Sequence, residues 1–167
     1  MFGPLQVLTV ILVAVAMAPA LAHALELPGK MRLTREAYSA MQPIYYPGFT
    51  VVGGIGEVGG MVSTIILLFV TPWRGPDFWL TLLALFGLIG MQAVYWLRTH
   101  PVNKFWLQDE KLGGLGAGFF SFGTPKETTR PVGWTELRDR WEYSHVARAG
   151  LVFTSFVALV IATACTP

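Results

Sequence analysis

Residues 48–70 read GFTVVGGIGEVGGMVSTIILLFV, twenty-three residues in which Glu57 is the one charge. A predominantly apolar run of about 20 residues is long enough to cross the hydrocarbon core of a bilayer as a helix. The run does not alternate apolar with polar residues, so it does not read as a transmembrane strand. A helix also pairs its own backbone groups, as lipid demands. Working outward, three more stretches have the same character: 5–25, 78–97 and 146–164. The expected fold is all-α: a four-helix transmembrane bundle forming one integral membrane domain over 1–167.

Composition agrees with a chain whose main partner is the lipid bilayer. Charged residues make up 13% and hydrophobic residues 53%, with a mean hydropathy of +0.53. A soluble globular protein carries roughly 25% charge, and a disordered chain needs low hydrophobicity with high charge. A single cysteine excludes an internal disulfide framework and a cysteine-based zinc or iron–sulfur site. The net charge of +2, with no basic run, excludes nucleic acid as a partner.

The first span ends in Ala20-Leu21-Ala22-His23-Ala24, which looks like a small-residue cleavage site. No Lys or Arg precedes it, however, as a secretory signal would require, so the span is expected to be retained. Four spans put 26–47 and 98–145 on one side and both termini with the 71–77 turn on the other. The first side, with Arg148 just inside the fourth span, holds eleven of the twelve basic residues, and Arg74 alone lies opposite. The positive-inside rule makes the two larger loops cytoplasmic. Both termini are then expected on the outer, periplasmic face of the inner (plasma) membrane.

Local signals divide the loops. Glu26-Leu27-Pro28-Gly29 is expected to end the first helix, because Pro and Gly are the strongest breakers. Thr34 can cap a short cytoplasmic amphipathic helix over Arg35–Gln42, which Pro43 and Pro47 then end. Tyr38, Tyr45 and Tyr46 suit the headgroup level. His100-Pro101 is expected to close the third span, and helix resumes near Thr135 and runs unbroken into the fourth. Residues 109–133 read as a cytoplasmic insertion rich in Gly and Phe. Its Gly113–Gly118 run lacks both the Gly-Lys-Ser/Thr and the preceding strand of a phosphate loop. Gly53, Gly56 and Gly60 share one face of the second span and allow close helix approach, a pattern that favours packing within the chain over a dimer contact.

The polar residues gather at one depth. His23, His100 and His145 all fall near the cytoplasmic ends of their spans, and Glu26 is one turn from His23. Glu57 lies about 13 Å into the second span at 1.5 Å per residue. On the fourth helix Trp141, His145 and Arg148 form one stripe. Charges inside a membrane are costly and usually pair across the bundle interior, which makes Glu57 and Arg148 natural partners, as are Glu26 and either Lys30 or Arg148. His145 is the candidate general base, with Glu26 beside it and with Asn103 and Arg148 to orient substrate or stabilise an oxyanion. His23, Glu26 and His145 are the candidate metal ligands, a donor set suited to iron, copper or zinc and compatible with haem. A structural reading stands beside these: His23 and His145 as hydrogen-bonded ties between helices, His100 as a helix boundary, and Glu57–Arg148 as a salt bridge.

Several of these runs resemble the anthrone-oxygenase-like family of small four-span membrane proteins. They are Glu26-Leu27-Pro28-Gly29-Lys30, Tyr45-Tyr46-Pro47-Gly48-Phe49, His100-Pro101-Val102-Asn103 and Arg140-Trp141-Glu142-Tyr143-Ser144-His145-Val146-Ala147-Arg148. The resemblance covers nearly the whole chain, and the Arg-Trp-x-x-x-His-x-x-Arg run with its upstream Pro-x-Asn is the most specific part. Residues 112–132 look like an insertion relative to it, and His23 and Glu57 fall outside its pattern. It implies oxidation of an anthrone-like polycyclic phenol by molecular oxygen, as in some fungal members, and fixes no cofactor. The expected function is therefore an oxygenase or oxidoreductase-like enzyme acting on a lipophilic phenolic or quinone-like small molecule. The alternative is a non-catalytic accessory subunit bound to other membrane subunits.

Overall fold

Backbone groups facing lipid must find partners within the chain, and helix dominates the described residues. The structure is a computed structural model that describes residues 3–106 and 133–165. All but the last residue of the insertion expected at 109–133 lies outside the described residues. The elements are α1 (Gly3–Lys30), α2 (Arg35–Met41), a 3-10 turn (Gln42–Tyr45), α3 (Gly48–Val70) and α4 (Pro76–Val94). A π-helical turn (Tyr95–Thr99), α5 (His100–Trp106) and α6 (Trp134–Ala164) complete them, with no strand among the described residues. Four segments are long and apolar enough to cross a membrane: Gly3–Lys30, Gly48–Val70, Pro76–Asn103 and Trp134–Ala164.

Helices in lipid associate by close van der Waals fit, which favours small residues between them. The core follows that rule, with Ala16, Ala20, Ala84, Ala149 and Ala158 set among Val13, Leu88, Met91 and Leu159. Large side chains such as Ile55, Phe69, Phe86 and Phe153 point outward. The glycine face of α3 packs on α1 of the same chain. A Cβ on Gly56 would lie 2.5 Å from the Ala16 nitrogen, and one on Gly60 3.0 Å from Val13 Cγ2. Between α4 and α6, Ser155 donates to the Ala84 carbonyl at 2.9 Å. The close pairs are α1–α3, α4–α6 and α1–α6, whereas α3 and α4 touch much less.

Two helix ends differ from the sequence expectation. The Glu26–Gly29 run does not break α1, which continues to Lys30, with the Met31 N–H bonded to the Leu27 carbonyl at 3.0 Å. Burial of the Lys30 side chain holds this last turn in place. His100-Pro101 likewise does not close the third span. The π-turn before it sends the His100 N–H to the Tyr95 carbonyl, and helix continues as α5 to Trp106. Proline has no N–H for the carbonyl four residues back. Here that acceptor, Leu97 O, receives Arg140 Nη2 at 3.0 Å. The π-turn is further tied to α6 by Thr99 and Ser144, whose hydroxyls are 2.8 Å apart. The short helix is capped by Thr34 as expected, its Oγ1 accepting the Ala37 N–H at 3.3 Å, and it ends at Met41.

The two kinds of glycine should respond oppositely to substitution. Gly56→Ala forces α1 and α3 apart and should cost about 1–3 kcal/mol by overpacking. A Cβ at Gly150 meets nothing within 4 Å, so Gly150→Ala should gain about 0.5–1 kcal/mol of helix stability. Thermal unfolding of both variants in detergent micelles checks the pair.

Candidate functional site

The end of α1 brings a lysine into the interior. Lys30 is 2% exposed, and its Nζ lies 3.0 Å from His23 Nδ1 and 3.1 Å from Glu26 Oε2. It is also 3.5 Å from each carboxylate oxygen of the fully buried Glu142 on α6. Tyr38 of α2 donates its hydroxyl to Glu142 Oε1 at 2.8 Å, and Tyr45 of the 3-10 turn donates to Glu26 Oε2 at 2.6 Å. The ammonium also sits 4.7 Å from the Tyr45 ring centroid and 5.2 Å from that of Trp141. Burial, with Glu142 beside it, pushes the Tyr38 hydroxyl above the ordinary phenol range; burial and Glu26 do the same to Tyr45. An ammonium held between carboxylates is a donor, so His23 Nδ1 accepts from Lys30.

Next to this cluster is a cavity of about 240 Å³ bounded by α1, the 3-10 turn, α3, α4, the π-turn, α5 and α6. Tyr45, Phe49, Tyr95, Trp96 and Trp141 give it aromatic walls. The rings of His23 and His145 meet inside it with centroids 4.1 Å apart, and Trp141 packs on His145 at 4.3 Å. Consecutive residues of a regular α-helix point about 100° apart. The wider π-turn lets Tyr95 and its neighbour Trp96 both join the wall, and such turns often occur at functional sites.

A second ion pair crosses the cavity. Arg148 on α6 bonds Glu57 on α3, whose other oxygen accepts from Gln92 Nε2 at 2.6 Å. The guanidinium carbon lies 5.0 Å from the Tyr95 ring centroid, and Nη1 is 3.4 Å from His145 Nδ1. Arginine can only donate, so His145 Nδ1 accepts and the ring hydrogen belongs on Nε2. That Nε2 is buried and without a protein partner, as are Arg148 Nε and Gln42 Nε2. All three residues line the cavity and are 4–5% exposed. Buried polar groups are nearly always hydrogen-bonded, so unpartnered donors on three side chains that line one cavity call for an acceptor.

The structure brings together many of the residues singled out from sequence. His23, Glu57, Asn103, His145 and Arg148 line the cavity. Asn103 Oδ1 accepts the Trp141 indole N–H at 2.7 Å, which sets the position of that ring. His145 has its Nδ1 lone pair against Arg148, where a general base would need it free. Glu26 does not line the cavity: it is 42% exposed and held by Tyr45 and Lys30. The trio His23, Glu26 and His145 is therefore not assembled as a metal site, and the Lys30 ammonium covers the His23 nitrogen on that side. Among the described residues no group of three His, Cys, Asp or Glu side chains is placed to hold a metal. His100 is also off the cavity wall, buried against Tyr95 and Trp96.

Sequence reasoning missed Glu142, Tyr38, Gln42 and Gln92. Glu142 could have been found, because it shares a helix face with His145 and Ala149 at three- and seven-residue spacing. Gln42 falls in a 3-10 turn that carries no periodic signal. Comparison with family models, curated proteins and solved structures gives no match. Fold and site together define a multi-pass helical membrane protein with an aromatic-walled cavity inside its bundle.

Lys30→Met leaves Glu142 buried without its countercharge and should destabilise the bundle by about 3–5 kcal/mol. Adding Glu142→Gln should recover most of that loss in thermal unfolding. The raised Tyr38 and Tyr45 hydroxyls give a pH dependence of known sign. Their contribution to stability is whole below the unfolded phenol value of about 10 and is lost as pH rises beyond it. Replacing both with Phe should flatten the alkaline fall in melting temperature measured from pH 8 to pH 11.

Proposed function

We propose that this protein is an oxygenase-like membrane oxidoreductase acting on a lipophilic phenolic or quinone-like substrate drawn from the bilayer. The observation that carries this reading is an aromatic-walled cavity lined by His145, Arg148 and Gln42, whose side chains carry the buried donors His145 Nε2, Arg148 Nε and Gln42 Nε2 without a protein partner. A ring-bound oxygen supplies the acceptor they lack, and flat rings suit the walls. A hydrogen bond from the charged Arg148 is worth about 1.5–3 kcal/mol, and all of these bonds strengthen as the oxygen gains negative charge.

The chemistry follows from that polarity. Glu57, the carboxylate on the cavity wall, takes a proton from the activated carbon of an anthrone-type substrate, and the resulting oxyanion is held by His145 and Arg148. Such an anion is electron-rich enough to react with dioxygen, the oxidant. Over the whole reaction the ring methylene becomes a carbonyl. One atom of dioxygen ends in that carbonyl, and the other leaves as water with both methylene hydrogens. The carbon thus loses four electrons, and dioxygen gains them. The runs that carry the family resemblance supply Asn103, Trp141, His145 and Arg148 to this cavity, which supports the same reading. By the positive-inside rule, the excess of Lys and Arg favours the cytoplasmic side of the plasma membrane for the cavity end of the bundle.

The test uses purified protein in lipid nanodiscs with 1,8-dihydroxyanthrone, following oxygen uptake and anthraquinone absorbance. Wild type should exceed the protein-free rate. His145→Ala and Glu57→Gln should lower that excess about 100-fold or more, with the melting temperature of His145→Ala within a few degrees of wild type. No excess uptake with anthrones, phenols or hydroquinones, from a protein recovered in fixed ratio with other membrane subunits, would establish the accessory-subunit reading instead.

A further inference from the structure

Resting on that reading of the cavity, we infer that its ligand enters sideways from the lipid between α3 and α4, and that Gly54 keeps the way open. Helix α3 carries five interior glycines, and four of them have a packing reason. A Cβ would lie 3.3 Å from Pro19 Cγ at Gly53, 2.5 Å from Ala16 N at Gly56, 3.2 Å from Leu12 Cδ2 at Gly59 and 3.0 Å from Val13 Cγ2 at Gly60. At Gly54 a Cβ meets nothing within 4 Å, yet Gly54 lines the cavity. A glycine inside a helix costs about 0.5–1 kcal/mol relative to alanine. At the other four positions close helix contact offsets that cost, and at Gly54 no contact does. What Gly54 contributes is empty space.

The residues around it mark a mouth. Val58, one turn along α3, and Trp96, across on the π-turn, both line the cavity, and both are also outer-surface residues, 66% and 41% exposed. They stand on α3 and on the π-turn that extends α4, two helices that touch much less than the other neighbouring pairs. Gly54 is six residues into α3, about 9 Å from its start at 1.5 Å per residue, so the opening faces acyl chains and not water. The cavity is also lined by His145 and Arg148, each 5% exposed and each carrying a buried donor, Nε2 and Nε, without a partner. The occupant this arrangement fits is a planar aromatic ring bearing an acceptor oxygen, with any hydrocarbon tail left trailing between α3 and α4 into the lipid.

Menadione (2-methyl-1,4-naphthoquinone) is a suitable probe, because quinones quench tryptophan and Trp96 and Trp141 line the cavity. With wild type in nanodiscs, quenching should saturate. Gly54→Leu should weaken binding at least about tenfold, the scale on which a pocket resolves a methylene or more. Its melting temperature should equal or exceed that of wild type, since leucine is the better helix former. Val58→Trp, at the outer lip, should slow association and dissociation in stopped flow by a similar factor and leave Kd unchanged. Wild-type binding by Gly54→Leu, or a lower melting temperature in it, overturns the inference; so do wild-type rates in Val58→Trp. If His145→Ala has lost binding at the same time, the cavity stands as the site and only the route is wrong. Absence of saturable quenching in wild type overturns both the route and the quinone-type reading of the site.

Discussion

A lysine ammonium almost sealed from solvent has to find its countercharge within a few ångströms, because taking an ion out of water costs several kcal/mol. Lys30 finds it in Glu142 and Glu26, and the loop-side half of the bundle is arranged around that requirement. The last turn of α1 persists beyond Pro28 because it carries Lys30 inward. Helix α2 is tied to α6 because Tyr38 supplies a hydrogen bond to Glu142. His23 is oriented by the same ammonium, which leaves its ring facing Trp141 and His145. Removing that one charge would loosen three helices and a turn together.

The helices were legible in the sequence because lipid imposes a length and an apolar character that few other structures satisfy. The Gly53, Gly56 and Gly60 face and the Glu57–Arg148 pair were legible for the same reason: small residues and lone charges in a membrane have few other uses. What local pattern could not supply was tertiary compensation. Pro28 and Pro101 read as helix ends, and both lie within helix because groups distant in sequence intervene. Lys30 reaches Glu142, and Arg140 reaches the carbonyl that Pro101 cannot serve. The same limitation misplaced Glu26. Its spacing from His23 is right for a shared site, yet Tyr45 and Lys30 draw its carboxylate outward. Nothing in the pattern separated Gly54 from its packed neighbours, since that difference exists only once α1 is in place.

Two ionic clusters result, and they are built for different ends. The Lys30 cluster is saturated: each carboxylate in it has a hydroxyl and an ammonium. The Glu57–Arg148 cluster, on the far side of the His23, Trp141 and His145 rings, leaves donors over. A cavity with surplus donors, aromatic walls and glycine-made space on its lipid side is suited to a flat molecule with an oxygen at one end. The rigid cluster holds the histidine and tryptophan rings still, so that the donors of the open one keep a fixed geometry.

Everything proposed for the cavity turns on His145 offering Nε2–H to an oxygen of a ligand from the lipid. Nitrogen-15 NMR of histidine-labelled protein in nanodiscs, with His145 assigned from its alanine variant, reads that directly. The expected result is a ring hydrogen on Nε2 and an unprotonated Nδ1, with the Nε2 resonance shifting as menadione is added and the His100 signals unchanged. A hydrogen on Nδ1, or an Nε2 signal indifferent to the quinone, would contradict it.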